Sequence, residues 1–138
     1  MAAARLSAPQ QRLLTGLLAS TDTVRRAGLR RLVAADSRDR DPVVEALAGT
    51  LLTTPDDAFV AVCETIDQLA AARDVLFRAL DRLPPTAVPV QHVAVAARRL
   101  PAADPRTAAI LGVWANSGSD ELATMVGLAR RGAQRPSR

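Results

Sequence analysis

Few side chains in this sequence have the type and spacing that chemistry needs. His92 is the only histidine and Cys63 the only cysteine. No Cys or second His stands at ligand spacing from His92, so a metal site there would have to recruit carboxylates from elsewhere in the fold. Cys63 sits inside an apolar stripe. A thiol nucleophile needs a base and an electropositive setting, and the neighbouring Glu64 works against both. The expectation is a core-edge or partly exposed His92 and a buried, structural Cys63. The acid pairs Asp56-Asp57 and Asp120-Glu121 are not dyads, because adjacent residues on a helix point in different directions. Both stand at helix starts, where the helix dipole accounts for them. The glycines are scattered singly, with no phosphate-binding loop and no nucleophile elbow. This inventory predicts a chain that is not an enzyme and carries no metal or cofactor.

The arginines carry more pattern. All 18 basic residues are Arg, against 14 acids. Residues 1–40 hold eight Arg and three acids, residues 41–81 two Arg and eight acids, and residues 82–138 again eight Arg and three acids. Basic ends flank an acidic middle. The densest group is Arg25, Arg26, Arg30 and Arg31, with Arg12, Arg38 and Arg40 near in sequence; Arg130, Arg131, Arg135 and Arg138 form the second. Arg26, Arg30, Arg31, Arg130 and Arg131 are therefore the candidate binding residues. An Arg-lined helix can neutralise nucleic-acid phosphates. Against that stand the modest net charge of +4, the scarcity of aromatic residues for stacking, and the absence of a DNA-binding motif. The same residues suit docking on an acidic protein partner, or self-assembly of basic end on acidic middle. A third reading is a solvated face, with Arg25 and Arg31 pairing to acids such as Asp22 and Asp36. The apolar run Val93–Ala97 before Arg98-Arg99 is too short and Ala-rich to insert usefully in a membrane surface, and reads as a buried core helix.

The elements that position these residues read as helices. Half of the 138 residues are apolar, mostly Ala, Leu and Val; Ala and Leu favour helical backbone, and small side chains allow close helix approach. The length suits one domain spanning 1–138, with 132–138 as a frayed basic tail. One cysteine forbids an internal disulfide, and the first residues lack the apolar run of a signal peptide, so a cytoplasmic protein is expected. Ser7 to Gln10 reads as a capping box. Asp41-Pro42, Thr54-Pro55 and Asp104-Pro105 each place a capping side chain before a Pro at the first helical position. Expected helices are 8–19, 22–35, 42–53, 55–72, 74–83, 88–100, 105–116 and 119–131, with 55–83 as one long helix the alternative. In 22–35 the aligned positions are Val24, Gly28 and Leu32, joined by Leu29 and Val33. In 56–72 the stripe is Phe59, Val62, Cys63, Ile66, Leu69 and Ala70, with Glu64, Asp67 and Gln68 away from it.

Alternate helices start near 22, 55, 88 and 119, about 31 to 34 residues apart, which is the length of a helical-hairpin repeat. The run Thr21-Asp22-Thr23-Val24-Arg25-Arg26-Ala27-Gly28-Leu29 continues through Arg30-Arg31-Leu32. It resembles the first helix of a HEAT-like repeat, and Asp41-Pro42-Val43-Val44-Glu45-Ala46-Leu47 resembles the second. The resemblance covers 21–53; later units depart, with Phe59-Val60 and Leu122-Ala123 in place of Val-Arg. It implies about four antiparallel helical hairpins stacked as a short α-solenoid, acting as a non-catalytic protein-interaction or scaffold module. The alternative architecture is an irregular seven- or eight-helix bundle. The alternative function is a nucleic-acid-associated helical domain using the same Arg-rich helix.

Overall fold

The computed structural model describes residues 6–84 and 88–115, and every regular element among them is helical. In order these are α1 (Ala8–Leu17), α2 (Asp22–Ala34), α3 (Ser37–Thr53), α4 (Pro55–Gln68), a 3₁₀ turn (Ala70–Ala72), α5 (Arg73–Arg82), α6 (Val90–Arg99) and α7 (Pro105–Ala115). The all-α expectation holds. The expected helix 119–131 and tail 132–138 lie outside the described residues.

Several starts form as their chemistry requires. Ser7 Oγ accepts from the Gln10 N–H while Gln10 Oε1 accepts from the Ser7 N–H, closing the capping box. Asp104 accepts the Arg106 N–H at 2.9 Å. Two starts differ from expectation. Asp36, not Asp41, caps α3, accepting the Asp39 N–H at 3.1 Å, so Pro42 falls inside the helix. A Pro there removes one intrahelical hydrogen bond, but the turn before it is already fixed by the Asp36 cap. Thr54 precedes Pro55 without capping it; its hydroxyl donates back to the Thr50 carbonyl at 3.2 Å. The long apolar segment is two helices. The α-helix stops at Gln68, and the Arg73 side chain donates from Nε to the Ile66 carbonyl (2.7 Å) and from Nη2 to the Asp67 carbonyl (3.1 Å). Those are carbonyls a helix end leaves unpaired.

The helices form two layers. In one, α1 packs on α3, α3 on α5 and α5 on α7; in the other, α2 packs on α4 and α4 on α6. Between layers, α1 meets α2, α3 meets α4, α4 meets α5, and α6 meets α7. Contact with the next helix but one, in both layers, is the pattern of stacked hairpins, and in a stack this short it is equally a two-layer helical bundle. The two approximations agree on what positions a site: α2, α4 and α6 lie side by side. His92 lies by Asp56 and Arg99 by Glu64, so α4 and α6 run in the same direction.

The core runs continuously through both layers, from Leu17 and Leu32 through Leu47, Leu51, Phe59, Val62 and Ile66 to Leu76, Leu80, Val93 and Trp114. Helix α4 is its centre, and Ala58 through Ile66, apart from half-buried Val60, is buried. That overturns one expectation: Glu64 is buried, because neighbours cover α4 on more than one face. Ala70, expected in the stripe, is exposed on the 3₁₀ turn. In α2 the buried stripe is Arg25, Gly28, Leu29 and Leu32, while Val24 and Val33 are exposed. Spacing of three, four and seven is kept, but an arginine occupies the first core position. Where α1 and α2 cross, a Cβ on Gly28 would lie 3.2 Å from the Gly16 carbonyl carbon and from the Leu17 nitrogen. The backbones approach that closely only because residue 28 has no side chain.

Candidate functional site

Arg26 and Arg30 are four residues apart on α2 and therefore neighbours on its surface. With Leu29 and Val33 they form one wall of a cleft of about 570 Å³. Glu64, Asp67 and Gln68 of α4 form the facing wall, and Arg99, the last residue of α6, completes it. Helices α2, α4 and α6 all contribute. Arg26 and Arg30 are exposed, and neither has an ion-pair partner among the described residues. Arg31 is exposed but does not line the cleft, nor does it pair with Asp36. Arg130 and Arg131 lie outside the described residues.

Beneath the cleft is an ion network. Arg25 donates from Nε to Glu64 Oε1, from Nη2 to Asp22 Oδ1 and from Nη1 to the Ala19 carbonyl at 3.4 Å. Arg99 Nη1 lies 3.5 Å from Glu64 Oε2. Arg25 and Glu64 are each only 7% exposed. A charge this far from water persists only when paired and hydrogen-bonded. Here both Glu64 oxygens and all three Arg25 nitrogens are engaged. The Arg25 guanidinium holds the Asp22 carboxyl below its ordinary pKa, first through its hydrogen bond and then through charge. The Arg25–Asp22 pair follows the sequence expectation; Glu64 as its second partner does not.

The other candidates fall into structural roles. The His92 ring stacks on Phe59, with centroids 4.6 Å apart and planes 14° from parallel, and its Nε2 is 2.8 Å from Asp56 Oδ1. It sits at the core edge, where an imidazole can bury one face and wet the other. Cys63 has no exposed surface, and burial, with the Glu64 charge adding to it, pushes its thiol pKa far up. Asp56 and Asp57 occupy the first turn of α4. No three His, Cys, Asp or Glu side chains cluster as metal ligands among the described residues.

Arg26 and Arg30 were visible in the sequence as part of a basic run. Glu64, Asp67, Gln68 and Arg99 were not, because they lie about one and two hairpin lengths downstream. Arg30, Glu64 and Arg99 are separated by 34 and 35 residues, close to the spacing of alternate helix starts, and that spacing was the available signal. No protein-family model, no curated protein and no solved structure matches this chain.

Proposed function

We propose that this chain is a non-catalytic protein-interaction module of the HEAT-like repeat type, and that the α2, α4 and α6 layer docks an acidic stretch of a protein partner. The observation that carries the reading is the pair Arg26 and Arg30, adjacent on the wall of a three-helix cleft and without ion-pair partners among the described residues. Two uncommitted guanidiniums held one turn apart on a rigid helix are a ready recognition surface for carboxylates. The ionisable groups of the cleft speak for binding rather than turnover. Glu64 is already committed to two arginines, and the Cys63 thiol, which lies outside the cleft, is buried and kept protonated. Among the described residues no helix is long and apolar enough to cross a membrane.

The test compares wild type with Arg26→Ala/Arg30→Ala for binding of a labelled Glu-Ser repeat peptide and of generic duplex DNA, each over a salt series. Peptide binding that the double variant loses supports the reading. Tighter binding of duplex, weakening steeply with salt and lost in the same variant, replaces it with the nucleic-acid alternative. Indifference of both probes to the substitutions removes the cleft from either.

A further inference from the structure

The cleft's charge and apolar wall narrow the partner further. We infer that it recognises one side-chain carboxylate, Glu or Asp, two residues before an aliphatic residue in an extended segment; this rests on the protein-docking reading above.

Among the described residues the lining holds three guanidiniums, Arg26, Arg30 and Arg99, against two carboxylates, Glu64 and Asp67. The excess is one positive charge. Beside it the buried Arg25 and the exposed Asp22 pair with each other and cancel. A carboxylate monoanion brings the site to neutrality, whereas a phosphate dianion or a run of phosphodiesters overshoots and meets Asp67. That balance favours an acidic peptide over a phosphopeptide or a nucleic acid.

The apolar component comes from α2 itself. Leu29 is buried to 7% exposure at the base of the wall, and Val33 stands beyond it with 44% of its surface exposed. From the midpoint of Arg26 and Arg30 to Val33, five residues on, the helix rises roughly 7.5 Å at about 1.5 Å per residue. A strand advances roughly 6.5 Å between same-face side chains. A segment with its carboxylate between Arg26 and Arg30 thus brings the same-face residue two positions on to Val33. Across the cleft Asp67 offers carboxylate oxygens, and Gln68, whose Nε2 already donates to Asp67 Oδ2 at 3.0 Å, offers its side-chain carbonyl and a second N–H. These suit peptide groups on both sides of the acidic residue, which an internal residue supplies and a chain end does not. Glu64 is a positioning residue: it holds Arg99 at the end of α6 against the cleft.

Fluorescence anisotropy of short, end-blocked peptides tests this. The parent contains Glu-Ser-Leu within Gly and Ser; companions replace Glu by Gln, Leu by Ser, or Glu by phosphoserine. One further peptide ends in a free Leu carboxylate and has no Glu. The expected result is tightest binding of the parent, about tenfold weaker binding without the carboxylate, and a severalfold loss without the Leu. Arg26→Ala/Arg30→Ala weakens the parent about tenfold, and Arg26→Lys/Arg30→Lys weakens it severalfold by losing the planar fork. Val33→Ser removes the preference for Leu over Ser while leaving the preference for Glu over Gln. All three variants change exposed residues, and circular dichroism checks that each is folded. Tighter binding of the phosphoserine peptide, or of the free-carboxylate peptide, overturns the inference and leaves an anion-docking cleft standing. Equal binding of the Leu and Ser peptides overturns the aliphatic half. Binding of no peptide above the level of the Arg26→Ala/Arg30→Ala variant overturns both the inference and the docking reading beneath it.

Discussion

The unusual residues are two charges where a helical core expects hydrocarbon. Arg25 takes a core position of α2 and Glu64 a buried position of α4, so each makes the other tolerable. Desolvation offsets most of the attraction in such a pair, yet removing one partner strands the other away from water. Glu64→Ala is therefore expected to cost about 3 kcal/mol in urea unfolding, at the low end for a buried pair because Asp22 still holds Arg25. Arg25→Met/Glu64→Leu is expected to recover most of that loss, and a double variant as unstable as the sum of its singles would contradict the pairing. A second carboxylate gives a pH signature. Asp104 accepts from the Arg106 backbone and, through both oxygens, from the Arg106 side chain, with Nη2 at 2.8 Å. Those bonds lower its pKa to about 2. Its unfolded value is about 3.9, so on acidification the unfolded chain takes up this proton first. The stabilisation is complete above roughly pH 4 and is lost as pH falls towards 2. Asp104→Asn, which keeps an oxygen for the cap, should flatten the fall in Tm across that window. An unchanged slope would mean that the Arg106 bonds contribute nothing in solution.

At the scale of the element, two glycines in helix interiors make opposite predictions. Gly49 of α3 is exposed, and a Cβ there would meet no atom of a neighbouring side chain or element within 4 Å among the described residues. Gly49→Ala should stabilise the protein by about 1 kcal/mol through helix propensity alone. Gly28→Ala gains the same propensity but drives a Cβ to 3.2 Å from the backbone of α1, which cannot rotate away as a side chain would. A net loss of about 1–2 kcal/mol is expected, read from paired thermal melts. A stabilising Gly28→Ala would show that the α1/α2 crossing can open at little cost. The sequence made much of this level legible. Helix type, the Ser7 capping box, the Asp104 cap and the spacing of alternate helices follow from local rules that act within a few residues. What escaped it depends on neighbours. The α3 start lay at Asp36 because an Asx cap outcompetes a proline six residues on. The buried face of α2 was displaced because α4 offers Arg25 a partner 39 residues away. The cleft escaped for the same reason. Arg26 and Arg30 stand out in any basic run, while Glu64, Asp67 and Arg99 join them only once three helices are laid side by side.

At the scale of the molecule, stacked hairpins can unfold piecemeal, since each unit touches mainly its neighbours. This stack has features that oppose that. Helix α4 packs on α2, α3, α5 and α6, and the apolar cluster runs unbroken from Leu17 to Trp114. Arg106 adds a tie between α7 and α5 at one end of their layer, bonding Asp104, reaching Asp74 of α5 and lying 4.7 Å over the Phe77 ring. Cys63 is a built-in reporter of the centre. Its thiol is wholly buried on α4, and burial holds it in the protonated, unreactive form, so a thiol reagent must wait for α4 to open. If the stack is one cooperative unit, the free energy of opening from the labelling rate in native buffer should equal that from urea unfolding by circular dichroism. Glu64→Ala, at the centre, should lower both by the same amount. Gly28→Ala separates the alternatives, because it strains only the first hairpin. In a cooperative stack it lowers Cys63 protection as much as it lowers global stability. In a stack that frays from its ends it lowers the first part of the helical signal and leaves Cys63 protection unchanged. The continuity of the core through α4 favours the first outcome, and labelling that is indifferent to Gly28→Ala would show that the hairpins melt one at a time.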